Sequence, residues 1–221
     1  MTGENRSREI SRRSADPGVV VSEQGIEIRR RGTPVGRTAG GEDCVYLLVD
    51  CSASMAGDKL EQARRGSLAF ARDALDEGYA TGLIQFHQAA TLLCQPQREG
   101  ATLDHCLRNL TTGGLTNMAE AIVLAHRQLR QKFGSRAMVV VTDGVANGPG
   151  DPGASLRAAD AAKRDGIDII AIGTDDADQE FLKRIASRVE LGVKVVRKQL
   201  EETIASSARM LPSGGHARAG D

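Results

Sequence analysis

The sequence predicts an α/β fold, a doubly wound three-layer sandwich in which a mostly parallel six-stranded sheet is covered by helices on both faces. Apolar segments of strand length alternate along the chain with segments that repeat apolar residues at helical spacing. Residues 44–50 and 137–142 form continuous apolar runs, which are typical of strands buried on both faces. Residues 79–86 and 89–95 meet at His87 and Gln88, which predicts a hairpin and therefore one antiparallel edge strand.

Strands and helices alternate regularly after residue 43. The predicted strands cover residues 44–50, 79–86, 89–95, 137–142, 167–172 and 193–196, and the predicted helices cover residues 58–76, 103–110, 117–133, 155–164, 178–188 and 200–210. The helix over residues 117–133 repeats apolar side chains on one stripe: Ala119, Ile122, Leu129 and Phe133. This alternation favours the strand order 3-2-1-4-5-6.

The composition limits the classes of function. A length of 221 residues fits one domain with short extensions, and the absence of Trp together with 3% aromatic residues requires an aliphatic core. A formal net charge of zero argues against a dedicated nucleic-acid binder. No window reaches the roughly 18 apolar residues of a membrane span, and residues 1–6 lack the apolar region of a signal peptide. We therefore expect a soluble, cytoplasmic protein with no membrane partner.

The two ends of the chain differ from its centre. Residues 1–40 carry eight Arg and no Lys against five acidic residues, and residues 19–28 predict an edge strand or hairpin. We interpret residues 1–40 as a basic, partly flexible arm; the alternative is a contact arm for an acidic partner or a phosphate backbone. Residues 41–211 form the predicted domain, and residues 212–221 predict a disordered tail because they are rich in Gly and Ala.

The four cysteines form no C-x-x-C pair: Cys44, Cys51, Cys94 and Cys106. In a chain without a signal peptide we expect them to stay reduced and to act as small apolar side chains. Cys51 lies inside the candidate site loop, so its oxidation could perturb ligand binding.

Five side chains with hydroxyl or carboxylate oxygens follow strand ends or precede a helix: Asp50, Ser52, Ser54, Thr116 and Asp143. The first three form an Asp-x-Ser-x-Ser loop after strand 44–50, the fourth follows a Gly-Gly pair, and the last follows strand 137–142. Ligands of parallel sheets bind outside the carboxyl ends of the strands, at the switch point of strand order, so these loops should converge. Hard oxygen donors without Cys or His suit Mg²⁺ or Mn²⁺ rather than Zn²⁺. The pattern therefore predicts a metal site that holds a ligand.

The five residues resemble the metal-ion-dependent adhesion site (MIDAS) of von Willebrand factor type A (vWA) domains, which have a Rossmann-like fold. The resemblance covers about residues 44–210, and all five positions match. It implies that Ser52 and Ser54 bind the metal directly. It also implies that Thr116 and Asp143 bind it directly or through water, and that Asp50 acts mostly through water and through hydrogen bonds to the serines. An acidic side chain of a protein partner would then complete the coordination.

Intracellular relatives in this family are often adaptors for AAA+ ATPases, as in magnesium chelatase, or components of multi-protein systems. The resemblance therefore implies a stand-alone intracellular vWA domain that binds a protein presenting Asp or Glu, in an assembly that could include an AAA+ ATPase. It implies a binding module rather than an enzyme.

Two other functions stay open in the sequence. One is a magnesium-dependent phosphohydrolase with Asp50 as nucleophile, but the haloacid-dehalogenase pattern needs a carboxylate two positions later, where Ser52 stands. The other is association with nucleic acid through the Arg-rich arm, which zero net charge disfavours. Asp58 could belong to a second metal site but is expected to begin a helix. The acidic residues between 175 and 178 could contact a cation but are expected to form a capped, solvated loop.

Overall fold

The computed structural model describes residues 19–22, 25–28, 41–144 and 153–212. The chain divides into two units between Ala39 and Gly40, and each is described by itself. In the first, β1 (Val19–Ser22) and β2 (Gly25–Ile28) pair antiparallel as a hairpin. The remaining expectations for residues 1–40 and for the tail beyond Pro212 lie outside the described residues.

The second unit contains the predicted alternation of strands and helices. In chain order it comprises β3 (Asp43–Asp50), α1 (Asp58–Asp76), β4 (Tyr79–Phe86), β5 (Ala90–Gln97), α2 (Gly100–Arg108), α3 (Met118–Leu129), β6 (Arg136–Thr142), α4 (Ala154–Arg164), β7 (Asp168–Thr174), α5 (Gln179–Ile185), β8 (Gly192–Val195) and α6 (Leu200–Ser206). Short 3₁₀ turns occur at Ala53–Met55, Val189–Leu191, Arg197–Gln199 and Ser207–Met210.

The sheet has the order β5-β4-β3-β6-β7-β8, and all neighbours are parallel except β4 and β5. Counted from β3, this is the predicted order 3-2-1-4-5-6, so the predicted fold class is confirmed. One edge strand, β5, contains Pro96 and pairs with β4 through two register shifts; the other, β8, has four residues. Helix α1 packs against α2 and α6, and α4 packs against α3 and α5.

The core is aliphatic, as the composition predicts, and every residue of β3 and β4 is buried. The expectation for Phe133 was wrong, because α3 ends at Leu129 and the Phe133 side chain is 91% exposed. The chain leaves the helix at Arg130, so residues beyond it no longer follow helical periodicity. Among the described residues, no helix combines the length and apolar character needed to cross a membrane.

Helix α1 packs closely against α6 at Gly66. A Cβ atom there would lie 2.7 Å from the backbone oxygen of Glu201 and 2.9 Å from the Cβ of Ile204. We expect Gly66→Ala to destabilise the domain by about 1–3 kcal/mol, since overpacking against backbone outweighs the gain of about 0.5–1 kcal/mol in helix propensity. Urea unfolding monitored by circular dichroism measures this change.

The matched control is Gly100→Ala, because a Cβ at Gly100 meets nothing within 4 Å. This substitution should leave the unfolding midpoint nearly unchanged. Equal stability of Gly66→Ala and the wild type would show that α1 and α6 can separate without cost.

Candidate functional site

Three chain segments meet at the carboxyl ends of the central strands. Because β3 and β6 are neighbouring parallel strands, Asp50 at the end of β3 and Asp143 directly after β6 lie at the same edge of the sheet. Both carboxylates are buried, with exposures of 0% and 2%. The loop before α3 joins them through Gly113, whose N–H donates to the carbonyl of Cys51 at 2.7 Å.

Four of the five predicted residues are linked by hydrogen bonds. The Oδ1 of Asp50 accepts from the backbone N–H of Ser52 at 2.8 Å. The hydroxyl oxygens of Ser52 and Ser54 lie 3.1 Å apart, and the Ser54 hydroxyl donates to the Oδ1 of Asp143 at 2.8 Å. These contacts form one hydrogen-bonded array, which runs from Asp50 through the backbone N–H of Ser52 to the two serine hydroxyls and Asp143.

Thr116 reaches this region on a loop that is fixed at both ends. Its side chain is buried, and it lies two residues after Gly114, whose carbonyl accepts from the N–H of Ala53 at 3.4 Å. On the other side, the N–H of Asn117 donates to the carbonyl of His87 at 2.6 Å. Asn117 also caps α3 by accepting from the N–H of Glu120 at 3.4 Å, so Thr116 is not the capping residue.

The Gly-Gly pair of this loop has a packing role. A Cβ at Gly113 would lie 2.5 Å from the Cγ of His87, whereas a Cβ at Gly114 would meet only the Oε1 of Gln88, at 3.5 Å. Gly113 therefore lies close against the β4–β5 turn, whereas Gly114 has room for a side chain.

Two residues in contact with the predicted carboxylates were not expected. The hydroxyl of Thr142, a buried side chain, donates to the Oδ2 of Asp50 at 2.6 Å. The ammonium of Lys59, the second residue of α1, contacts the Oδ2 of Asp143. A hydroxyl at the last position of an apolar strand was a usable signal for Thr142. Lys59 gave no signal, because its contact depends on the direction of a long side chain.

The other acidic residues near the site have structural partners. Asp58 begins α1 as expected and accepts from the amide of Gln62 at 2.6 Å. Asp178 caps α5 by accepting from the N–H of Glu180 at 2.8 Å, as a capped loop requires. Asp175 has a positive φ of 49° and pairs with Arg197 at 2.5 Å.

Burial and neighbouring polar or charged groups shift the pKa values of the site residues in opposite directions. Burial raises the pKa of Asp50 above its usual value, although hydrogen bonds from Thr142 and Ser52 favour the charged form. Burial would lower the pKa of Lys59, but the hydrogen bond and the charge of Asp143 outweigh burial and raise it. The hydrogen bond from Arg197 holds the pKa of Asp175 below its ordinary value. A buried carboxylate is either compensated by a cation or loses its charge by taking up a proton.

The donor atoms define which ligands fit. The candidate residues supply two carboxylates and three hydroxyls, and no group of three or more His, Cys, Asp and Glu side chains converges anywhere in the described part of the chain. Oxygen-only donors suit a small, hard divalent cation such as Mg²⁺ or Mn²⁺. Three of these donors, the hydroxyls of Ser52 and Ser54 and the Oδ1 of Asp143, are already joined by hydrogen bonds.

Cys51, between Asp50 and Ser52, is a buried free thiol. Burial, together with the charge of Asp50, raises its pKa from 9.0 to about 12. Since only the thiolate reacts, its reactive fraction at neutral pH should be roughly a thousandfold below that of a free Cys. We expect iodoacetamide to label the partly exposed Cys106 well before Cys51 in the native protein, as measured by peptide mass spectrometry. Equal labelling rates would mean that the site loop opens readily.

The family model for the von Willebrand factor type A domain matches residues 45–204. The chain is 31% identical over 179 residues to the uncharacterized protein Rv2850c of Mycobacterium tuberculosis, an alignment that covers 76% of this chain. The chain spans 28% of the length of that relative.

Solved structures share the fold. The vWF domain of the type V pili tip protein Mfa5 from Porphyromonas gingivalis has a TM-score of 0.68 at 14% identity, covering 78% of this chain and 96% of that one. A von Willebrand factor type A protein from Catenulispora acidiphila has a TM-score of 0.62 at 18% identity, covering 76% and 42%. Domains of this kind commonly mediate protein–protein interactions and often bind a divalent metal. The chain therefore belongs to the von Willebrand factor type A domain family.

Proposed function

We propose that this domain holds Mg²⁺ or Mn²⁺ in a MIDAS and binds a protein partner through that cation. The proposed ligand set is the five residues at the carboxyl ends of the sheet: Asp50, Ser52, Ser54, Thr116 and Asp143. The single observation that carries the proposal is the hydrogen-bonded array that runs from Asp50, through the backbone N–H of Ser52 and the two serine hydroxyls, to Asp143.

The contacts within the array suggest different roles for its members. Both carboxylate oxygens of Asp50 are engaged, one by the N–H of Ser52 and the other by the hydroxyl of Thr142. Asp50 would therefore orient the serine loop and contribute charge, while the hydroxyl oxygens of Ser52 and Ser54 bind the cation. The bound cation would supply an electrophilic position that an Asp or Glu side chain of the partner can occupy.

Two features support a binding module over an enzyme. Asp50 is fully buried and both its oxygens accept hydrogen bonds, so it is poorly placed to act as the nucleophile of a phosphohydrolase. The general acid that such a mechanism needs two residues later is absent, because Ser52 stands there. An adaptor in a multi-protein assembly, with an AAA+ ATPase as one class of partner, is the form of this function that the family resemblance favours.

An exposed apolar side chain lies beside the proposed site. Leu115, which is 47% exposed, directly precedes Thr116. An apolar contact next to the cation would add shape selectivity to the carboxylate interaction, as anchor residues do in protein interfaces. The proposed recognition therefore combines an acidic group on the metal with an apolar group on Leu115.

Calorimetric titration of Mg²⁺ and Mn²⁺ into chelator-stripped protein tests the metal site. We expect saturable binding of one cation by the wild type and a loss of about 100-fold or more in affinity for Ser52→Ala and Asp143→Ala, since each removes a donor that the cation needs. Asp160→Ala is the matched control, because Asp160 pairs with Lys163 on the surface of α4. Full affinity in both site variants would refute the assignment.

Acetate can serve as a probe for the partner carboxylate. With Mn²⁺ bound, acetate should displace coordinated water and lower the water-proton relaxation rate of the wild-type complex. Relaxation that does not respond to acetate at any concentration would argue against an open coordination position. Hydrolysis of p-nitrophenyl phosphate by the loaded wild type, lost in Asp50→Asn, would instead favour the enzyme.

A further inference from the structure

Lys59 places a positively charged side chain in the proposed site. Its ammonium contacts the Oδ2 of Asp143 and lies 3.3 Å from the Oδ2 of Asp175. The Lys59 side chain is only 12% exposed, and the Asp143 side chain 1%. This lysine is therefore committed to the site rather than to solvent.

We propose that Lys59 is a built-in competitor of the divalent cation: its ammonium bridges Asp143 and Asp175 when no cation is bound, and it releases Asp143 and keeps Asp175 when one binds. This inference rests on the proposed metal site. An ammonium and a dication on the same carboxylate repel each other strongly in a poorly hydrated site. Binding of the dication therefore requires Lys59 to release Asp143, and the observed affinity falls below that of the oxygen donors alone.

The second position of the ammonium is already built. Asp175 lies in the turn after β7. The N–H of the next residue, Asp176, donates to the carbonyl of Asp143 at 3.1 Å, and this bond holds Asp175 beside Asp143. The guanidinium of Arg197 donates to the Oδ2 of Asp175 at 3.1 Å and 2.5 Å and holds that carboxylate in place. Because the ammonium already pairs with both carboxylates, it can release Asp143 and remain on Asp175.

The arrangement also protects the fold. Asp143 is buried beside Asp50, and an uncompensated charge there is costly. Lys59 supplies that compensation from within the chain, so the domain can stay folded without a metal. The same contact makes metal binding weaker and conditional on cation concentration.

Replacement of Lys59 tests separately whether this residue competes with the divalent cation and whether it stabilises the metal-free fold. We expect Lys59→Met, which keeps most of the aliphatic stem, to bind Mn²⁺ about tenfold tighter than the wild type in calorimetry, a modest effect for a close charge pair. In chelator its melting temperature should be lower than that of the wild type, and Mn²⁺ should raise it by more. Lys183→Met is the matched control, because Lys183 pairs only with Glu180 on the surface of α5 among the pairs described.

A second variant tests whether Asp175 keeps the released ammonium. Asp175→Asn should weaken Mn²⁺ binding several-fold by removing the other acceptor of the ammonium, and this loss should disappear in the double variant with Lys59→Met. Equal Mn²⁺ affinity of Lys59→Met and the wild type would refute the proposed competition and leave the proposed metal site intact. Weaker binding by Lys59→Met would show that Lys59 supports the site and would also refute the competition. Absence of binding in both proteins would remove the metal site and the inference together, whereas binding by Lys59→Met alone would be its strongest support.

Discussion

Asp50→Asn should abolish tight divalent-cation binding while keeping the fold, whereas Asp50→Ala should abolish binding and also destabilise the fold. The asparagine oxygen can still accept from the N–H of Ser52, and its amide can donate to the hydroxyl of Thr142, which has the carbonyl of Gly144 at 3.3 Å as an alternative acceptor. Alanine leaves the buried N–H of Ser52 without its acceptor. It also leaves the hydroxyl of Thr142 with only the more distant carbonyl of Gly144 as acceptor. We expect a loss of about 2–4 kcal/mol in the free energy of unfolding for Asp50→Ala.

The charge of Asp50 gives this comparison a pH dependence. Because burial raises the pKa of Asp50, the folded state binds its proton more tightly than the unfolded state does. The stability that this protonation contributes is present below the unfolded pKa and is lost as the pH rises through the folded pKa. In chelator, Asp50→Asn should therefore gain in melting temperature relative to the wild type as the pH rises above the unfolded pKa of Asp, about 3.9.

Calorimetry with Mn²⁺ and thermal unfolding in chelator give the two measurements. Thr142→Val is the matched control, because it removes the second hydrogen bond of Asp50 while leaving the carboxylate charge. It should lower stability and retain most of the metal affinity. Undiminished Mn²⁺ affinity in Asp50→Asn would mean that the site does not use the Asp50 charge.

Gly113→Ala should displace the loop that carries Thr116. The new methyl group would lie 2.5 Å from the Cγ of His87, and the loop cannot retreat without losing the hydrogen bond from the Gly113 N–H to Cys51. We expect a cost of about 1–3 kcal/mol in stability and a loss of about tenfold in Mn²⁺ affinity. Urea unfolding and calorimetry measure the two effects.

Two further variants make this prediction specific. Gly114→Ala should be nearly neutral, because its methyl group would meet only the flexible end of Gln88, at 3.5 Å. His87→Ala in the Gly113→Ala background should restore much of the loss, since it removes the ring while keeping the backbone bonds of residue 87. A Gly113→Ala variant that behaves as the wild type would show that the His87 ring moves aside freely.

The fold could be predicted because its strands and helices carry different periodicities. Every residue of β3 is buried and apolar apart from its two end carboxylates, so the strand was visible as a continuous run. Helix ends were less predictable. The predicted start at Leu103 fell three residues inside α2, and the predicted end at Phe133 fell beyond α3, because local capping decides where a helix stops.

The metal-binding role of the five candidate residues stays a prediction. The meeting of Asp50 and Asp143 at one edge of the sheet was predictable, because a parallel sheet gathers strand ends there. The contacts of Thr142 and Lys59 were not, because they join residues separated by 92 and 84 positions. Nothing in sequence spacing states which way a lysine side chain turns. The contact between Lys59 and Asp143 is therefore visible only in the tertiary structure.

The two outer strands of the sheet affect how copies of this domain can meet. A flat, unpaired strand edge is a template on which another chain can form hydrogen bonds. Here Pro96 removes one donor from β5, register shifts distort its pairing, and β8 offers only four residues. Both edges of this sheet are therefore poor templates, so edge-to-edge pairing of copies through β5 or β8 is disfavoured.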